Sequence, residues 1–341
     1  MQKGKVTVLM AVYNAEKYLH RSLGSLLRQT FSDLQIVCVD DASTDASLAI
    51  LKDYAEKDKR IEVLHLEENH GQAYARNKAI EIATGEFVTM LDADDWMADD
   101  AIEQCLRVFE EYPKTDCVLF DVKETFPDNS SKGYDWHYSK GKYQSNADGG
   151  FVVMSGEEAF MESLNWGIHG VCMDRAILYE KYPYDASSRF YSDDNTARLH
   201  FLSSREVRCG NGKYYYYQHP SSASHGIGIG RMDWMHAADS MRDKFEEMNM
   251  PSEVLNAWEW ERWKIIIDCY WFYYVNHGQL TPDERVYCMR EIRKAWQGVK
   301  VLRLKDKPIR KLGWFPFLGH WRVFQLEEII YFSLRSLMRR H

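Results

Sequence analysis

Three acids follow a short apolar run in the first third of the chain: Phe87–Leu91 leads into Asp92, Asp94 and Asp95. Carboxylates this close repel one another in an empty site, and a divalent cation relieves that repulsion. Mg²⁺ and Mn²⁺ prefer oxygen ligands and usually bind one or two carboxylates together with substrate phosphates. The alternative is an acidic turn that opens a helix, where the helix dipole favours acids. The Asp-x-Asp-Asp pattern after an apolar run favours the metal.

A second pair of acids, Asp40 and Asp41, follows the apolar run Leu34–Val39. The next residues include Ser43 and Asp45, whose side chains commonly cap a following helix. Capping explains those two residues but not the acids before them. A carboxylate at the carboxyl end of a buried strand can accept a hydrogen bond from a uracil N3–H or a ribose hydroxyl. The segment therefore indicates a nucleotide-binding edge as well as a helix cap.

A third polar segment runs from Glu68 to Asn77 and contains Gly71 and Arg76. Gly71 permits a tight turn after an apolar run. The helix that follows can point its first N–H groups at an anion, and Arg76 adds a fixed cation. A plain surface loop with an exposed arginine is the alternative interpretation.

The elements that must position these residues alternate through the first 125 residues. Leucines recur at helical spacing between short apolar runs, for example at Leu19, Leu23 and Leu26. Alternating strands and helices predict an α/β sheet, whose ligands bind outside the carboxyl ends of the strands. The predicted strands are Val6–Val12, Leu34–Val39, Ile61–Leu66, Phe87–Leu91 and Cys117–Val122.

The remainder of the chain is mixed at first and then helical and rich in aromatic residues. We divide the whole chain into residues 1–125, 126–230 and 231–341. The predicted later helices are Gly156–Leu164, Asp194–Leu202, Met232–Met248, Ser252–Asn276, Pro282–Gln297 and Val323–Met338.

Composition excludes several classes of protein. The chain of 341 residues has a formal charge of −8, which argues against general nucleic-acid binding. Its seven cysteines are scattered without a CxxC pair, so neither a disulfide framework nor a zinc cage is predicted. We find no signal peptide and no run of about 18 apolar residues that could span a bilayer. We therefore expect a cytoplasmic protein.

The last segment, residues 298–341, differs in charge from the rest. It holds ten Lys and Arg residues and three acids, so its net charge is +7 and that of residues 1–297 is −15. Cations mixed with aromatic residues over 305–340 suit the surface of an anionic bilayer. Packing of the final apolar stripe on the protein is an equal alternative, and RNA binding is a weaker one. The stripe comprises Phe324, Ile329, Ile330, Leu334 and Leu337.

Taken together, the motifs resemble glycosyltransferase family 2, the inverting nucleotide-sugar transferases of the GT-A fold. The resemblance runs through about residues 5–122 and is specific as a set. It implies an α/β fold with a mixed, mostly parallel sheet flanked by helices and followed by a helical extension. Residues 1–125 would be the nucleotide-sugar-binding half of this fold and residues 126–230 the acceptor-binding and catalytic half. The matching motifs are Val12–Asn14, Gln29–Phe31, Val39–Ser47, Asn69-x-Gly71, Ala75–Asn77, Thr84–Phe87 and Leu91–Asp95.

The resemblance also implies roles for particular residues. Asp94 becomes the metal ligand of the DxD motif, with Mg²⁺ or Mn²⁺ bound, and Asp95 is a second candidate. The nucleotide, expected to be that of a UDP-sugar, would be bound by residues in the three polar segments. These are Ala11, Tyr13, Asn14, Asp41, Asn69, Gly71, Arg76 and Asp92.

The family usually supplies its general base from an acidic pair that opens a helix about 100 residues after the DxD motif. This chain has Asp193 and Asp194 there, with aspartate where glutamate is commoner. By register Asp194 resembles the base, and the neighbouring Asp193 would raise the pKa of Asp194. The alternative is that the two acids only cap the helix.

Three further residues resemble parts of the acceptor or diphosphate site. Trp166 and His169 lie where family members line the acceptor site, and His225 follows an aromatic strand and could close over the diphosphate. For both histidines an ordinary packed or polar role is an equal alternative.

The sequence thus predicts a metal-dependent inverting glycosyltransferase of the hexosyl or N-acetylhexosaminyl type. Its acceptor would be a saccharide or lipid-linked saccharide in capsule, lipopolysaccharide or exopolysaccharide synthesis, met at the inner face of the cytoplasmic membrane. A nucleotidyltransferase would need a Gly-rich basic loop after the first strand, where this chain has Tyr13–Glu16. A phosphatase would need its Asp-x-Asp there too. A non-catalytic sugar-nucleotide-binding or scaffold protein is the remaining alternative.

Overall fold

The computed structural model divides the chain into two units, Met1–His219 and Pro220–His341. The first unit contains the predicted strands, and the second is helical. The described residues are 1–133, 153–164, 166–191, 193–219, 228–308, 311–316 and 319–338.

The apolar runs of the first unit form one sheet, which has ten strands among the described residues. All five predicted strands are present, with their ends shifted by a few residues. The strands are β1 (Gln2–Val12), β2 (Leu34–Asp40), β3 (Ile61–His65), β4 (Gly85–Met90), β5 (Trp96–Met97), β6 (Thr115–Thr125), β7 (Ser131–Gly133), β8 (Val153–Ser155), β9 (Cys172–Arg175) and β10 (Glu206–Tyr217).

The sheet is mixed, as the resemblance implied, and β3, β2, β1 and β4 are parallel neighbours. Its order is β3-β2-β1-β4-β9-β6-β10-β5, and β9 is antiparallel to both of its neighbours. Leu9 of β1 pairs with Val37 of β2 on one side and with Met90 of β4 on the other, both in parallel register. The carboxyl ends of β1, β2 and β4 therefore lie together, which brings the polar segments that follow them to one edge.

Helices cover both faces of this sheet because side chains alternate along each strand. Val8 and Met10 of β1 pack in one core cluster with Leu23 and Ile102, whereas Leu9 packs in a second cluster. The helices of the first unit are α1 (Leu19–Leu27), α2 (Ser47–Lys57), α3 (Gln72–Glu81), α4 (Ala101–Glu111), α5 (Gly156–Leu164), α6 (Ile177–Lys181) and α7 (Asp193–Ser203).

The second unit consists of four long helices and short 3₁₀ turns among its described residues. Thr281 and Glu284 form a capping box at the start of the third helix, with Pro282 in its first turn, which is why the predicted start was correct. No helix in the described part of the chain is long and apolar enough to cross a membrane. The helices are α8 (Asp233–Glu247), α9 (Ser252–Asn276), α10 (Pro282–Gln297) and α11 (Trp321–Met338).

The last helix, α11, packs on the second unit mainly through residues outside the predicted apolar stripe. Phe324 and Phe332 are buried, and the Phe324 ring lies 5.5 Å from that of Trp263. Two acids, Glu327 and Glu328, are buried with them. Of the predicted stripe, Phe324 packs on the unit and the other four residues are exposed, because the helix is apolar on two sides and only one of them packs. The exposed stripe residues are Ile329, Ile330, Leu334 and Leu337.

Glu328 makes the stability of the protein depend on pH. Its side chain is fully buried, and neither carboxylate oxygen has a hydrogen-bond partner among the described residues. Burial first, and the charge of Glu327 second, raise the pKa of Glu328 from 4.5 to about 9. Between pH 4.5 and about 9, the folded state therefore binds more protons at Glu328 than the unfolded chain does. The contribution of Glu328 to the free energy of unfolding falls as pH rises from 4.5 towards 9.

We expect Glu328→Gln to be more stable than the wild type near pH 8 by about 1–3 kcal/mol, because the amide carries no charge to bury. The difference should shrink towards pH 5, where the wild-type carboxyl is also neutral. Urea denaturation at both pH values measures it. Glu253→Gln, which alters an exposed glutamate of α9, is the control. The same pH dependence in Glu328→Gln and wild type would contradict the expectation.

Candidate active site

The segment that ends β1 is locked to the loop that follows β2. The Asn14 N–H donates to Ser43 Oγ at 3.0 Å, and Asn14 Oδ1 accepts from the Thr44 N–H at 2.8 Å. Asn14 has a φ of +49°, a conformation that asparagine tolerates better than most residues. Tyr13 is 52% exposed beside it, and Ala11 is partly exposed. The predicted residues of β1 thus lie together at the carboxyl edge.

Asp41 organises the next loop of this edge. Its Oδ1 accepts from the His70 N–H at 2.8 Å, and its Oδ2 accepts from the Gly71 N–H at 2.7 Å. Asn69 Nδ2 donates to the Asp41 carbonyl oxygen at 3.0 Å. Each carboxylate oxygen keeps a second lone pair for a ligand. Both Asp41 and Asp40 are buried, with Asp41 2% exposed, and the Asp40 carboxylate contacts His65 Nδ1 at 2.8 Å, which gives Asp40 a structural role.

Gly71 lets the loop Asn69–Gly71 approach the segment that precedes α7. Its φ is +91°, and a Cβ atom there would lie 3.2 Å from Arg189 Cβ and 3.3 Å from its carbonyl oxygen. Arg189 Nη2 in turn donates to the Asn69 carbonyl and side-chain oxygens. The loop Asn69–Gly71 is therefore held against the residues that lead into the acidic pair.

Arg76 lies at the centre of the site. It projects from α3, is 1% exposed, and donates from Nη2 to Asp92 Oδ1 at 2.5 Å. Burial alone would lower the pKa of Arg76, but the charges of Asp92, Tyr184 and Asp193 raise it above its ordinary value. The arginine therefore bonds the acid that follows β4 and lies within electrostatic range of Asp193 at the start of α7.

The acids after Asp92 point in different directions. Asp95 is 1% exposed, and its two oxygens accept from the Tyr214 hydroxyl at 2.7 Å and the Tyr217 N–H at 2.8 Å. Asp95 thus anchors β10, and this geometry argues against it as a metal ligand. The Asp94 side chain is 30% exposed, and its Oδ2 lies 2.8 Å from His219 Nε2.

Two aromatic residues and an arginine fix Asp94 and His219 in place. The Tyr18 hydroxyl lies 3.2 Å from His219 Nδ1, and the two rings are 4.6 Å apart. Arg21 donates to the Asp94 carbonyl oxygen at 2.8 Å, and its guanidinium lies 4.1 Å from the Tyr217 ring. The carboxylate and the imidazole are therefore both preorganised.

The acidic pair occupies the first turn of α7, as predicted. Burial, and then the charge of Asp193, raise the pKa of Asp194 to about 7, while Arg198 opposes the shift. Gly170 permits this arrangement, because a Cβ atom there would lie 2.9 Å from Ala197 Cβ and 3.4 Å from Asp194 Oδ1. A carboxylate with such a pKa can take a proton from a hydroxyl near neutral pH.

A buried contact between His200 and Asp174 holds α7 on the sheet. His200 Nδ1 lies 2.9 Å from Asp174 Oδ2 of β9, and its Nε2 lies 2.8 Å from the Tyr182 carbonyl oxygen. Both side chains are 1% exposed. A carbonyl oxygen can only accept, so Nε2 carries a proton. This contact therefore fixes the position of Asp193 and Asp194 at the start of α7.

The three residues predicted to contact the acceptor or the diphosphate differ in their exposure and surroundings. Trp166 is partly exposed with a φ of +57°, and its ring lies 4.7 Å from the Arg198 guanidinium. His169 is 4% exposed, and burial lowers its pKa to about 4, so it is a neutral core residue. The prediction of His169 as an acceptor contact is corrected accordingly. His225 lies outside the described residues.

Sequence reasoning missed His219, Tyr18 and Arg21. His219 follows the aromatic strand Tyr214–Tyr217, and that strand was the signal that could have found it. We expected His225, six residues further on, to serve this region instead. Tyr18 and Arg21 show no pattern in the sequence beyond ordinary helix-surface residues.

A mixed sheet with this polar edge and an Asp-x-Asp motif after β4 is the GT-A architecture of glycosyltransferases. The sequence profile of glycosyl transferase family 2 matches residues 7–179, and the chain belongs to that family. The matched residues contain the polar segments that follow β1, β2 and β4 but not Asp193, Asp194 or His219.

Three known proteins illustrate the relationship. GlyA of Streptococcus pneumoniae serotype 4 is 29% identical over 245 residues, which are 70% of this chain and 34% of GlyA. TuaG of Bacillus subtilis (strain 168), named for teichuronic acid biosynthesis, is 42% identical over 109 residues, 32% of this chain and 43% of TuaG. The chain thus matches less than half the length of these relatives.

The third is a solved structure, residues 1–349 of TarS from S. aureus in complex with UDP-GlcNAc. It superposes with a TM-score of 0.66 at 18% identity, covering 98% of this chain and 92% of that one. At this identity the similarity concerns the fold.

Proposed function

We propose that the chain transfers a sugar from a UDP-sugar to an acceptor hydroxyl with inversion at the anomeric carbon. The observation that carries the proposal is the position of Arg76, whose Nη2 donates to Asp92 and whose guanidinium lies within electrostatic range of Asp193. Asp92 and the other polar residues at the carboxyl ends of β1, β2 and β4 form what we call the donor edge. Asp41, whose carboxylate oxygens keep spare lone pairs, would accept from the uracil N3–H. The TarS complex with UDP-GlcNAc supports the choice of nucleotide and an N-acetylhexosaminyl or hexosyl donor.

Asp194 acts as the general base. The acceptor oxygen forms a bond to the anomeric carbon while its proton passes to the Asp194 carboxylate. The bond from the anomeric carbon to the diphosphate breaks, and its electron pair leaves with UDP. The displacement is a single in-line step without a covalent intermediate. Asp193 and burial keep the pKa of Asp194 near neutrality, which suits a base that must also release the proton.

The residues around Asp94 fit Mg²⁺ or Mn²⁺. Two ligands at right angles, each about 2.1 Å from an octahedral ion, are separated by about 3 Å. The observed 2.8 Å between Asp94 Oδ2 and His219 Nε2 is close to that spacing. If His219 donates its Nδ1 proton to the Tyr18 hydroxyl, its Nε2 atom carries the lone pair that a cation would bind. A bound cation would neutralise charge on the leaving diphosphate.

We propose that the acceptor is a saccharide or a lipid-linked saccharide used in surface-polysaccharide synthesis. The name of TuaG, which refers to teichuronic acid, supports this class of product. A lipid-linked acceptor would place the protein at the inner face of the cytoplasmic membrane, in peripheral contact through residues 305–340. Trp166 is partly exposed and its ring lies 4.7 Å from the Arg198 guanidinium of α7, so it could stack on the acceptor sugar.

Thermal unfolding with UDP, GDP, CMP and dTDP, each with Mn²⁺ or with EDTA, tests the donor site. A ligand that binds only the folded state adds about 2.7 kcal/mol of stability at a hundredfold excess over its Kd. We expect a rise in Tm with UDP and Mn²⁺ that EDTA abolishes. No shift with any nucleotide in a folded sample would contradict the donor assignment, and an equal shift with EDTA would contradict the metal. A shift with another nucleotide alone would replace UDP.

A further inference from the structure

The outward side of α11 is almost entirely apolar. Eight positions of this helix are exposed, and Arg322 is the one polar residue among them. Scattered apolar residues are normal on a protein surface, but a continuous row along a whole helix marks an interaction surface. We call this row the outer face of α11; its members, 46–71% exposed, are Val323, Leu326, Ile329, Ile330, Leu334, Leu337 and Met338.

A basic groove of about 620 Å³ lies between α10 and α11. Arg290, Arg293 and Lys294 line it from α10, and Trp321 and Gln325 line it from α11. Arg290 is paired with Glu291, whereas Arg293 and Lys294 are exposed and make no ion pair with any residue the structure describes. Two of the three cations are therefore available to an anion from outside.

The basic groove and the outer face of α11 adjoin each other. At 3.6 residues per turn, Trp321 and Gln325 lie on one flank of the helix. Arg322 and Ile329 come next around the helix, between that flank and Leu326 at the middle of the outer face. The second unit thus presents a row of apolar side chains with cations and an indole along its border.

The combination of an apolar row with cations along its border indicates which kind of partner fits this surface. A second copy of the chain would match the apolar row but would bring cations of the same sign with it. An anionic bilayer matches both parts: apolar side chains enter the acyl boundary while Lys and Arg contact phosphates. An indole at the border suits the headgroup level. An 18-residue helix lying in the membrane plane offers a contact about 27 Å long.

We propose that the outer face of α11 and the basic groove form a binding surface for anionic phospholipid. This surface places the contact on α11 and α10, rather than along the whole segment 305–340. It rests on the proposed function only for its purpose, which is to bring the enzyme to a lipid-linked acceptor.

Co-sedimentation of the full chain with phosphatidylcholine vesicles, with and without phosphatidylglycerol, tests the proposal. We expect binding that requires phosphatidylglycerol and weakens as salt is raised. Leu326→Ser with Ile330→Ser should weaken it at least about tenfold through lost apolar burial. Arg293→Gln with Lys294→Gln should weaken it by roughly thirtyfold, since each cation near an anionic surface contributes about fivefold.

Matched controls separate this surface from general charge and hydrophobicity. Leu302→Ser alters an apolar residue that is 87% exposed outside α11, and Lys305→Gln with Lys307→Gln removes exposed cations outside the groove. Both should bind vesicles as the wild type does. All substituted side chains are exposed, so the fold should survive, and circular dichroism checks it.

Failure of the folded wild type to bind anionic vesicles at low salt would overturn the proposal, as would wild-type binding by both double variants. A dimer in sedimentation velocity that Leu326→Ser with Ile330→Ser abolishes would identify a second copy as the partner instead. Vesicle binding needs no donor sugar, so Asp194→Asn should bind normally. The proposal and the transferase activity can therefore fail independently.

Discussion

Asp194→Asn is expected to lower the rate of sugar transfer by about a thousandfold while the affinity for UDP stays within a factor of about two. The amide matches the carboxylate in shape but cannot take the acceptor proton. The proposed donor contacts, which include Asp41 after β2 and Arg76 on α3, are unchanged in this variant. Release of UDP from a panel of UDP-sugars measures the rate, and thermal shift measures the affinity.

The wild-type rate should depend on pH through the same group. The pKa of Asp194 is raised to about 7, so the carboxylate is protonated and inactive below that pH and active above it. Transfer should therefore fall tenfold per pH unit on the acidic side and level off above about pH 8. The residual activity of Asp194→Asn should lack this limb.

Glu157→Gln is the control for this variant, because it removes an exposed acid from the first turn of α5 in the same unit. It should retain wild-type transfer. If Asp194→Asn transfers sugar at the wild-type rate, Asp194 is not the base. If neither wild type nor variant turns over any UDP-sugar although both bind UDP, the non-catalytic alternative is favoured.

Much of the fold was predictable because its determinants are local. Leu34–Val39 contains no charged residue, and every residue of β2 is buried, so burial on both faces left a plain signal in the sequence. The predicted and observed bounds of α10 agree because the helix begins with a local capping box at Thr281 followed by Pro282. The donor edge was predictable for a related reason, since parallel strands end at the same side of a sheet.

The parts that escaped prediction depend on contacts between distant residues. Asp94 and Asp95 are adjacent and chemically identical in the sequence. Tyr214, 119 residues after Asp95, and His219, 125 residues after Asp94, decide which of them turns inward. In the same way, periodicity shows that α11 is apolar but not that Phe324 and Phe332 pack while Leu326 and Ile330 remain exposed. Local pattern cannot choose between two apolar sides of one helix.

Asp94→Asn and His219→Gln are each expected to weaken the metal-dependent part of UDP binding by about a hundredfold. The neutral amide that replaces the Asp94 carboxylate would lack the charge that attracts a cation, and the glutamine would lack an imidazole nitrogen. The two losses of affinity should not add, because either change breaks the same pair of proposed metal ligands, which lie 2.8 Å apart. Calorimetric titration of UDP with Mn²⁺ and with EDTA separates the metal-dependent part from the rest.

Asp99→Asn and His20→Gln are matched controls, since both side chains are exposed in the same unit and lie outside the donor edge. They should bind UDP and Mn²⁺ as the wild type does. If Asp94→Asn loses metal-dependent binding and His219→Gln keeps it, the histidine only positions Asp94. If both variants keep it, the cation is held elsewhere and the hydrogen bond between Asp94 and His219 is structural. Additive losses would mean that the two side chains act at separate points on the diphosphate.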